Sequence, residues 1–316
     1  MRSAMRAARD AGERGWLSAL VAAALLLAVG DTAAQYIPDR EAHALTGVLK
    51  RIKDTGVVRI GYRERALPFS FEGPDKRPYG YSIDLCEAIV EEIAGEIGLA
   101  LLRTEYRRVT PADRIEQVVA GRIDLECGAT TNTAQRRERV AFSPLIFVAG
   151  TRLLVKRGSP VRSLRDLTGR QVVVVRETTN EAAMRQLAAT GGRSFSVRVA
   201  DDYAQALATL AAGEVDALAA DDILIAGLIA EQGLRSEYAM VGELLSYEPY
   251  GIMFAKDDAP LAATVDAAFR RLAATRELRW IYGKWFLRTL PSGMQLGLPM
   301  SVQLERSFQV LGLPVD

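Results

Sequence analysis

From residue 57 onward, short apolar runs alternate with stretches whose apolar residues recur every three to four positions. That is the pattern of strands alternating with amphipathic helices. Val57-Val58-Arg59-Ile60-Gly61-Tyr62 reads as a strand, followed by a Gly/Pro-rich turn around Gly73 to Pro78. Leu85, Ile89, Ile93 and Ile97 then line one stripe of a helix from about Leu85 to Ile97. Leu101 to Arg107 is the next strand, Asp113 to Ala120 a helix, and Ile123 to Cys127 a strand. The β-α-β-α-β order predicts a largely parallel sheet with helices on both faces.

The pattern then recurs: strand Gln171 to Val175, helix Asn180 to Ala188, strand Ser196 to Ala200, helix Tyr203 to Ala212, strand Val215 to Ala219. Aligning Gly121 with Gly213 sets AGRIDLECGA beside AGEVDALAAD. Each copy has a helix-ending glycine, then an acidic residue (Asp124, Asp216), then a strand. The spacing is too long for a solenoid, so two similar α/β lobes are predicted. Phe147 to Val155 and Tyr250 to Phe254 look like strands that cross between them. Leu261 to Ala274 is predicted as a helix, and Trp280, Tyr282, Trp285 and Phe286 as an aromatic cluster. Two crossings make a hinge, and two-lobed α/β proteins bind ligands in the cleft at the carboxyl ends of their strands.

The stretch Gly121 to Ser143 carries the most suggestive chemistry. Strand Ile123 to Cys127 breaks at Gly128 into Ala129-Thr130-Thr131-Asn132-Thr133, and Ala134, Gln135 and Arg136 open a helix. Free amides at such a helix start favour an anion, and Arg136 can add a fork for a carboxylate or phosphate. The plainer reading is a capped helix with a solvated arginine.

Composition narrows the class. The chain has 316 residues, 49% hydrophobic and 25% charged, with a net charge of +1. That is an ordinary globular make-up of about two domains, and it gives no reason to expect nucleic acid or an acidic membrane as a partner. Arg2, Arg6, Arg9 and Arg14 precede the apolar run Trp16 to Val29, with small residues at Thr32 to Ala34. This predicts a cleavable leader over residues 1–34 and an exported protein. The two cysteines, Cys86 and Cys127, are a candidate disulfide in an oxidising compartment; two buried thiols are the alternative. The only histidine is His43, so neither a His-based triad nor a His metal site is available and no cofactor is expected.

The segments GYRERALPFSF, GYSIDLCEAIVE, DLECGATTNTAQRRERVAFS, VAGTRLLVK, DLTGRQVVVVRETTNE, AADDILIAG, PYGIMFAKDD and GKWF together resemble periplasmic solute-binding proteins for amino acids, which serve ABC importers. Within them the chain is most similar to the glutamate/aspartate-binding proteins, over about Gly56 to Ser301. The resemblance implies a two-lobed periplasmic binding protein fold, with two similar parallel-sheet lobes joined by a two-strand hinge. Lobe 1 would take residues 35–147 and 249–316, and lobe 2 residues 148–248. It also implies site residues. Arg136, with Thr131 beside it, matches the holder of the ligand α-carboxylate. Asp221 matches the acceptor of the α-ammonium, shared with the Ala129 carbonyl. Arg63 and Arg114 match the arginines that meet a side-chain carboxylate, and Thr178 and Thr179 a second carboxylate-holding position.

Four positions depart from that branch. Pro111 and Ala129 stand where serines are usual, Tyr203 where a histidine is frequent, and Glu177 where a glycine commonly precedes the Thr-Thr pair. The lost hydrogen-bonding groups make the dicarboxylate assignment depend on Arg63 and Arg114. The expected protein is a monomeric extracytoplasmic binder of an acidic amino acid that meets an ABC permease. Two alternatives differ in class: an enzyme of the same fold such as a cyclohexadienyl-type dehydratase, with Glu126 or Glu177 as acid, and a binder of neutral or amide amino acids. A sensor that presents itself to a membrane receptor could coexist with transport.

Overall fold

The computed structural model describes residues 45–190, 194–290, 293 and 295–315; the predicted leader and His43 lie outside them. From Leu45 on, the chain forms one compact unit built on two five-stranded sheets. In the first, Val57–Tyr62 pairs in parallel with Arg103–Arg108 on one side and Leu125–Glu126 on the other. Met253–Ala255 then joins Leu125–Glu126 antiparallel, and Val140–Phe142 closes the edge. The second sheet repeats the plan. Gln171–Val175 lies parallel between Ser196–Ala200 and Ala217–Asp221, followed by Thr151–Lys156 antiparallel and Tyr238–Val241.

Each sheet is therefore mixed where a largely parallel one is expected. The reason lies in the crossings: Thr151–Lys156 and Met253–Ala255 enter their sheets from the other lobe, at the carboxyl ends of the parallel strands, and so run the opposite way. The hinge itself is a short antiparallel pair, Phe147–Ala149 against Glu248–Tyr250. The first crossing is thus two strands, divided at Gly150, and not one run.

The internal repeat has a physical basis. Gly121 (φ 60°) and Gly213 (φ 74°) both turn left-handed after a helix, a conformation a side chain disfavours. The acid three residues later reaches back to the middle one of the three parallel strands in each copy. Asp124 accepts the Arg59 amide at 2.7 Å and pairs with the Arg51 and Arg59 guanidinium groups. Asp216 accepts the Gln171 amide at 2.9 Å and pairs with Arg170.

The helix Tyr81–Ile97 starts a turn earlier than its stripe predicts, and Leu85, Ile89, Ile93 and Ile97 are all buried. Cys86 on this helix is bonded to Cys127 just past Leu125–Glu126, so the helix is tied to the sheet at the edge of the cleft. Closing a loop of 41 residues should contribute about 4 kcal/mol on the chain-entropy account. Denaturant unfolding with and without reductant is expected to show a loss of that order, and an unchanged midpoint would contradict it.

Phe147 and Tyr250 of the hinge pair pack with Phe69, Tyr81, Tyr282 and Phe286 in one cluster of edge-on and stacked rings. Trp280 is excluded from this cluster. It is 55% exposed, because the spacing that buries Tyr282 and Phe286 turns it outward. The lobes meet closely elsewhere too: a Cβ on Gly227, in the helix Asp222–Glu231, would lie 2.2 Å from the Leu67 carbonyl. Among the described residues no helix is long and apolar enough to cross a membrane.

Candidate functional site

The parallel strands of both sheets end facing one another, and polar side chains fill the space between them. On the first-lobe side, the residue after Val57–Tyr62 is Arg63, whose amide donates to Ser70 Oγ at 2.9 Å and whose side chain is 7% exposed. Arg114 opens the helix Arg114–Val119, is 3% exposed, and donates from Nη1 to the Ala129 carbonyl at 3.3 Å. Its Nε has no hydrogen-bond partner among the described residues. Neither does Oε1 of Glu126, a fully buried carboxylate whose other oxygen accepts from Thr130 Oγ1 at 2.8 Å. Arg136 donates from Nη1 to the Thr131 carbonyl at 2.9 Å and from Nη2 across the cleft to the Glu177 carbonyl at 3.5 Å.

The helix expected at this strand end is a single turn, Ala134–Arg137. Thr133 caps this turn by accepting the Arg136 amide at 3.1 Å, and Asn132 N just before it donates to the Pro249 carbonyl at 2.7 Å. Val140 must enter the sheet three residues later, which leaves no room for more turns. A single turn carries only a small dipole, so attraction for an anion rests chiefly on the buried Arg136 side chain.

On the second-lobe side, Gln171–Val175 turns through Glu177 with a left-handed φ of 59°. Glycine would adopt this conformation at lower cost. Thr178 Oγ1 donates to the Val175 carbonyl at 2.6 Å and accepts the Glu181 amide, so its hydroxyl fastens the helix start. Thr179 opens the helix Thr179–Thr190 and donates to Glu248 Oε2 at 2.6 Å. Asp221 closes the strand Ala217–Asp221 at 4% exposure; it accepts from Asn180 Nδ2 at 2.7 Å and from the Tyr250 hydroxyl. Tyr203, 7% exposed, lies in the field of Asp221, Arg63 and Arg114.

Residues 58–288 match the model of bacterial extracellular solute-binding proteins, family 3. The chain belongs to that family. It is 36% identical over 277 residues to the L-glutamate/L-aspartate-binding protein of Pseudomonas aeruginosa, covering 87% of this chain and 91% of that one. It is 31% identical to the glutamate/aspartate import solute-binding protein of Escherichia coli, covering 91% and 95%. Among solved structures, an ancestral arginine-binding protein bound to glutamine matches with a TM-score of 0.66 at 29% identity, over 74% of this chain and 99% of that one. An ancestral amino acid-binding protein described as a precursor of cyclohexadienyl dehydratase matches with a TM-score of 0.66 at 25% identity, over 76% and 99%.

In this family 3 protein the cleft electrostatics are set by burial. Desolvation, then the neighbouring Arg114, lowers the Arg63 guanidinium to about 10, and the same two causes lower Arg136 to about 10. Desolvation, then Glu248, raises Asp221 to about 6, against the hydrogen bonds from Tyr250 and Asn180 that hold it down. Desolvation and Asp221 push the Tyr203 phenol up.

Of the predicted site residues, Arg63, Arg114, Ala129, Thr131, Arg136, Thr179, Tyr203 and Asp221 come together at the cleft. Thr178 stands beside them with its hydroxyl proton already engaged. Sequence reading missed Asn180, Tyr250 and Glu248. A faint signal for Glu248 is that a lone acid opens an otherwise apolar crossing strand.

Proposed function

We propose that this protein captures glutamate or aspartate in the cleft between its lobes and delivers it to the membrane permease of an ABC importer. The observation that carries the reading is the gathering of three buried arginines, Arg63, Arg114 and Arg136, across the cleft from the buried carboxylate of Asp221. A dicarboxylic amino acid has the matching charges. Arg136 would take the α-carboxylate, Asp221 with the Ala129 carbonyl the ammonium, and Arg63 and Arg114 the side-chain carboxylate. Thr131 and the backbone at Thr178 and Thr179 would border the α-carboxylate, with Tyr203 beside the side chain. The relatives' names, which speak of glutamate and aspartate binding or import, support the same ligand class. They also support a binding protein and not an enzyme; we propose in addition that it is a monomer, exported to the periplasm with the leader over residues 1–34 cleaved. The lobe boundaries of the sequence reading, with crossings near residues 148 and 249, belong to this proposal. Calorimetry with a panel of amino acids tests it: heat of binding only with neutral or basic members would overturn it.

Closure should be ligand-driven, because the groups for one ligand are split between two lobes. Small-angle scattering is expected to give a smaller radius of gyration at saturation. An unchanged radius would argue against a hinge.

Binding should also weaken in acid. An ammonium group needs ionised Asp221, and the buried carboxyl takes a proton at about 6. The empty site thus holds a proton below pH 6 that the ligand must displace, so affinity falls as pH drops. From pH 7.5 to pH 5 the loss is expected to be about tenfold. A flat profile by calorimetry would remove Asp221 from the ammonium site.

A further inference from the structure

Glu248 sits on the hinge pair, 2% exposed, and among the described residues every hydrogen bond to its side chain comes from a hydroxyl. Oε2 accepts from Thr131 Oγ1 at 2.7 Å and from Thr179 Oγ1 at 2.6 Å, while Oε1 accepts from Ser246 Oγ at 2.6 Å. Thr131 belongs to the strand-end run of the first lobe, and Thr179 is the first residue of a second-lobe helix. Their two hydroxyl oxygens are themselves only 3.4 Å apart. One carboxylate oxygen on the hinge thus ties the two lobes together at the cleft.

The chain of contacts continues inward. Ser246 Oγ shares a hydrogen bond with Thr151 Oγ1 at 2.6 Å, Thr151 Oγ1 accepts from Asn180 Nδ2 at 2.7 Å, and Asn180 Nδ2 donates to Asp221. The Tyr250 hydroxyl, two residues from Glu248, completes the loop onto Asp221. Each threonine hydroxyl has one proton, and both protons point at Glu248. Glu248 therefore offers these donors what a ligand carboxylate would offer them.

We propose that Glu248 is a closure latch: from the hinge it bridges Thr131 and Thr179, and so raises the closed share of the ligand-free population, a shift that a bridging ligand then completes. It acts as a positioning residue and need not touch the ligand. The inference rests on the hinged two-lobe reading but not on the identity of the ligand. Charge-assisted hydrogen bonds of this kind are the stronger class, and they are strengthened by burial. Arg136 Nη2 to the Glu177 carbonyl, at 3.5 Å, is a weaker second bridge.

Small-angle scattering on ligand-free protein tests the latch with three variants. Glu248→Ala removes the whole bridge. Thr179→Val removes only its second-lobe arm at a half-buried position and keeps the fold if the alanine variant does not. Glu248→Gln keeps an oxygen that can accept from both threonines. The ligand-free radius of gyration should rise for Glu248→Ala and Thr179→Val, by on the order of 1 Å above the wild-type value, which is about 19 Å for a compact chain this long. Glu248→Gln should stay close to wild type, a rescue that a merely destabilised fold would not show. Unchanged radii for both Glu248→Ala and Thr179→Val would overturn the latch. So would Glu248→Gln expanding as far as Glu248→Ala. If wild type binds no acidic amino acid while the variants still expand, the proposed ligand fails and the latch stands. If wild type binds glutamate or aspartate and no variant expands, the latch fails alone.

Discussion

Alanine in place of Arg136 is expected to weaken the binding of glutamate or aspartate by more than tenfold. Truncating one partner of a buried, hydrogen-bonded charge pair costs roughly 2–5 kcal/mol, much of it from leaving the other charge unpaired. Burial already lowers this guanidinium to about 10, so an incoming carboxylate recovers electrostatic energy that water does not supply. Part of any effect will be structural, because the Thr131 and Glu177 carbonyls lose a donor. Arg136→Lys separates the two. It keeps the charge and loses the bidentate fork, so an intermediate affinity is expected. Thermal melting of both variants establishes that they are folded. If Arg136→Ala binds as tightly as wild type, Arg136 does not hold the ligand.

How much of this was legible in the sequence depended on the range of the interactions involved. The copies around Gly121 and Gly213 could be aligned because a helix end, an acid and a strand are local signals. Asp124 and Asp216 then turned out to make equivalent bonds. The strands were found from short apolar runs, but their direction was not. Nothing in Met253-Phe254-Ala255 reveals that it joins its sheet from the other lobe. The one-turn helix at Ala134 carries a good N-cap and strong helix formers, yet Val140 is held by a strand pairing with Ala255. Tertiary demand overrode local propensity there.

The site followed the same rule. Arg63, Arg114, Arg136 and Asp221 came from matching motifs, whereas Glu248 meets Thr131 across 117 residues and no local pattern announces it. Asn180 was hidden for a related reason: beside two threonines at a helix start it reads as a capping residue, while its amide bridges Thr151 and Asp221. The disulfide stayed open because strand facing decides it, and the strand's register comes from the neighbour Val57–Tyr62.

The larger effect concerns which amino acid is chosen. Glutamate and aspartate are expected to outcompete glutamine and leucine by several kcal/mol, a factor of a hundred or more. Arg63 and Arg114 are both buried, and each lies in the repulsive field of the other, which helps lower Arg63 to about 10. Glu126 and Asp113 soften that repulsion without cancelling it. Among the described residues Arg114 Nε has no acceptor, so the cleft has a donor as well as a charge to satisfy. A second carboxylate supplies both needs. An amide supplies an oxygen but no charge, and an alkyl group supplies neither, leaving two guanidinium groups desolvated against one another. The serine hydroxyls usual at Pro111 and Ala129 are missing, which should weaken the preference without reversing it, because charge-assisted bonds outweigh neutral ones. Tyr203, in place of histidine, offers a phenol that burial and Asp221 keep protonated, so it can donate but adds no positive charge. Arg63→Ala and Arg114→Ala should each narrow the gap between glutamate and glutamine, with the aspartate and glutamate affinities falling more than the glutamine affinity. Competition titration decides the matter: a wild-type protein that prefers glutamine or an aliphatic amino acid over both acids would mean that the charge of Arg63 and Arg114 is already balanced by Glu126 and its neighbours.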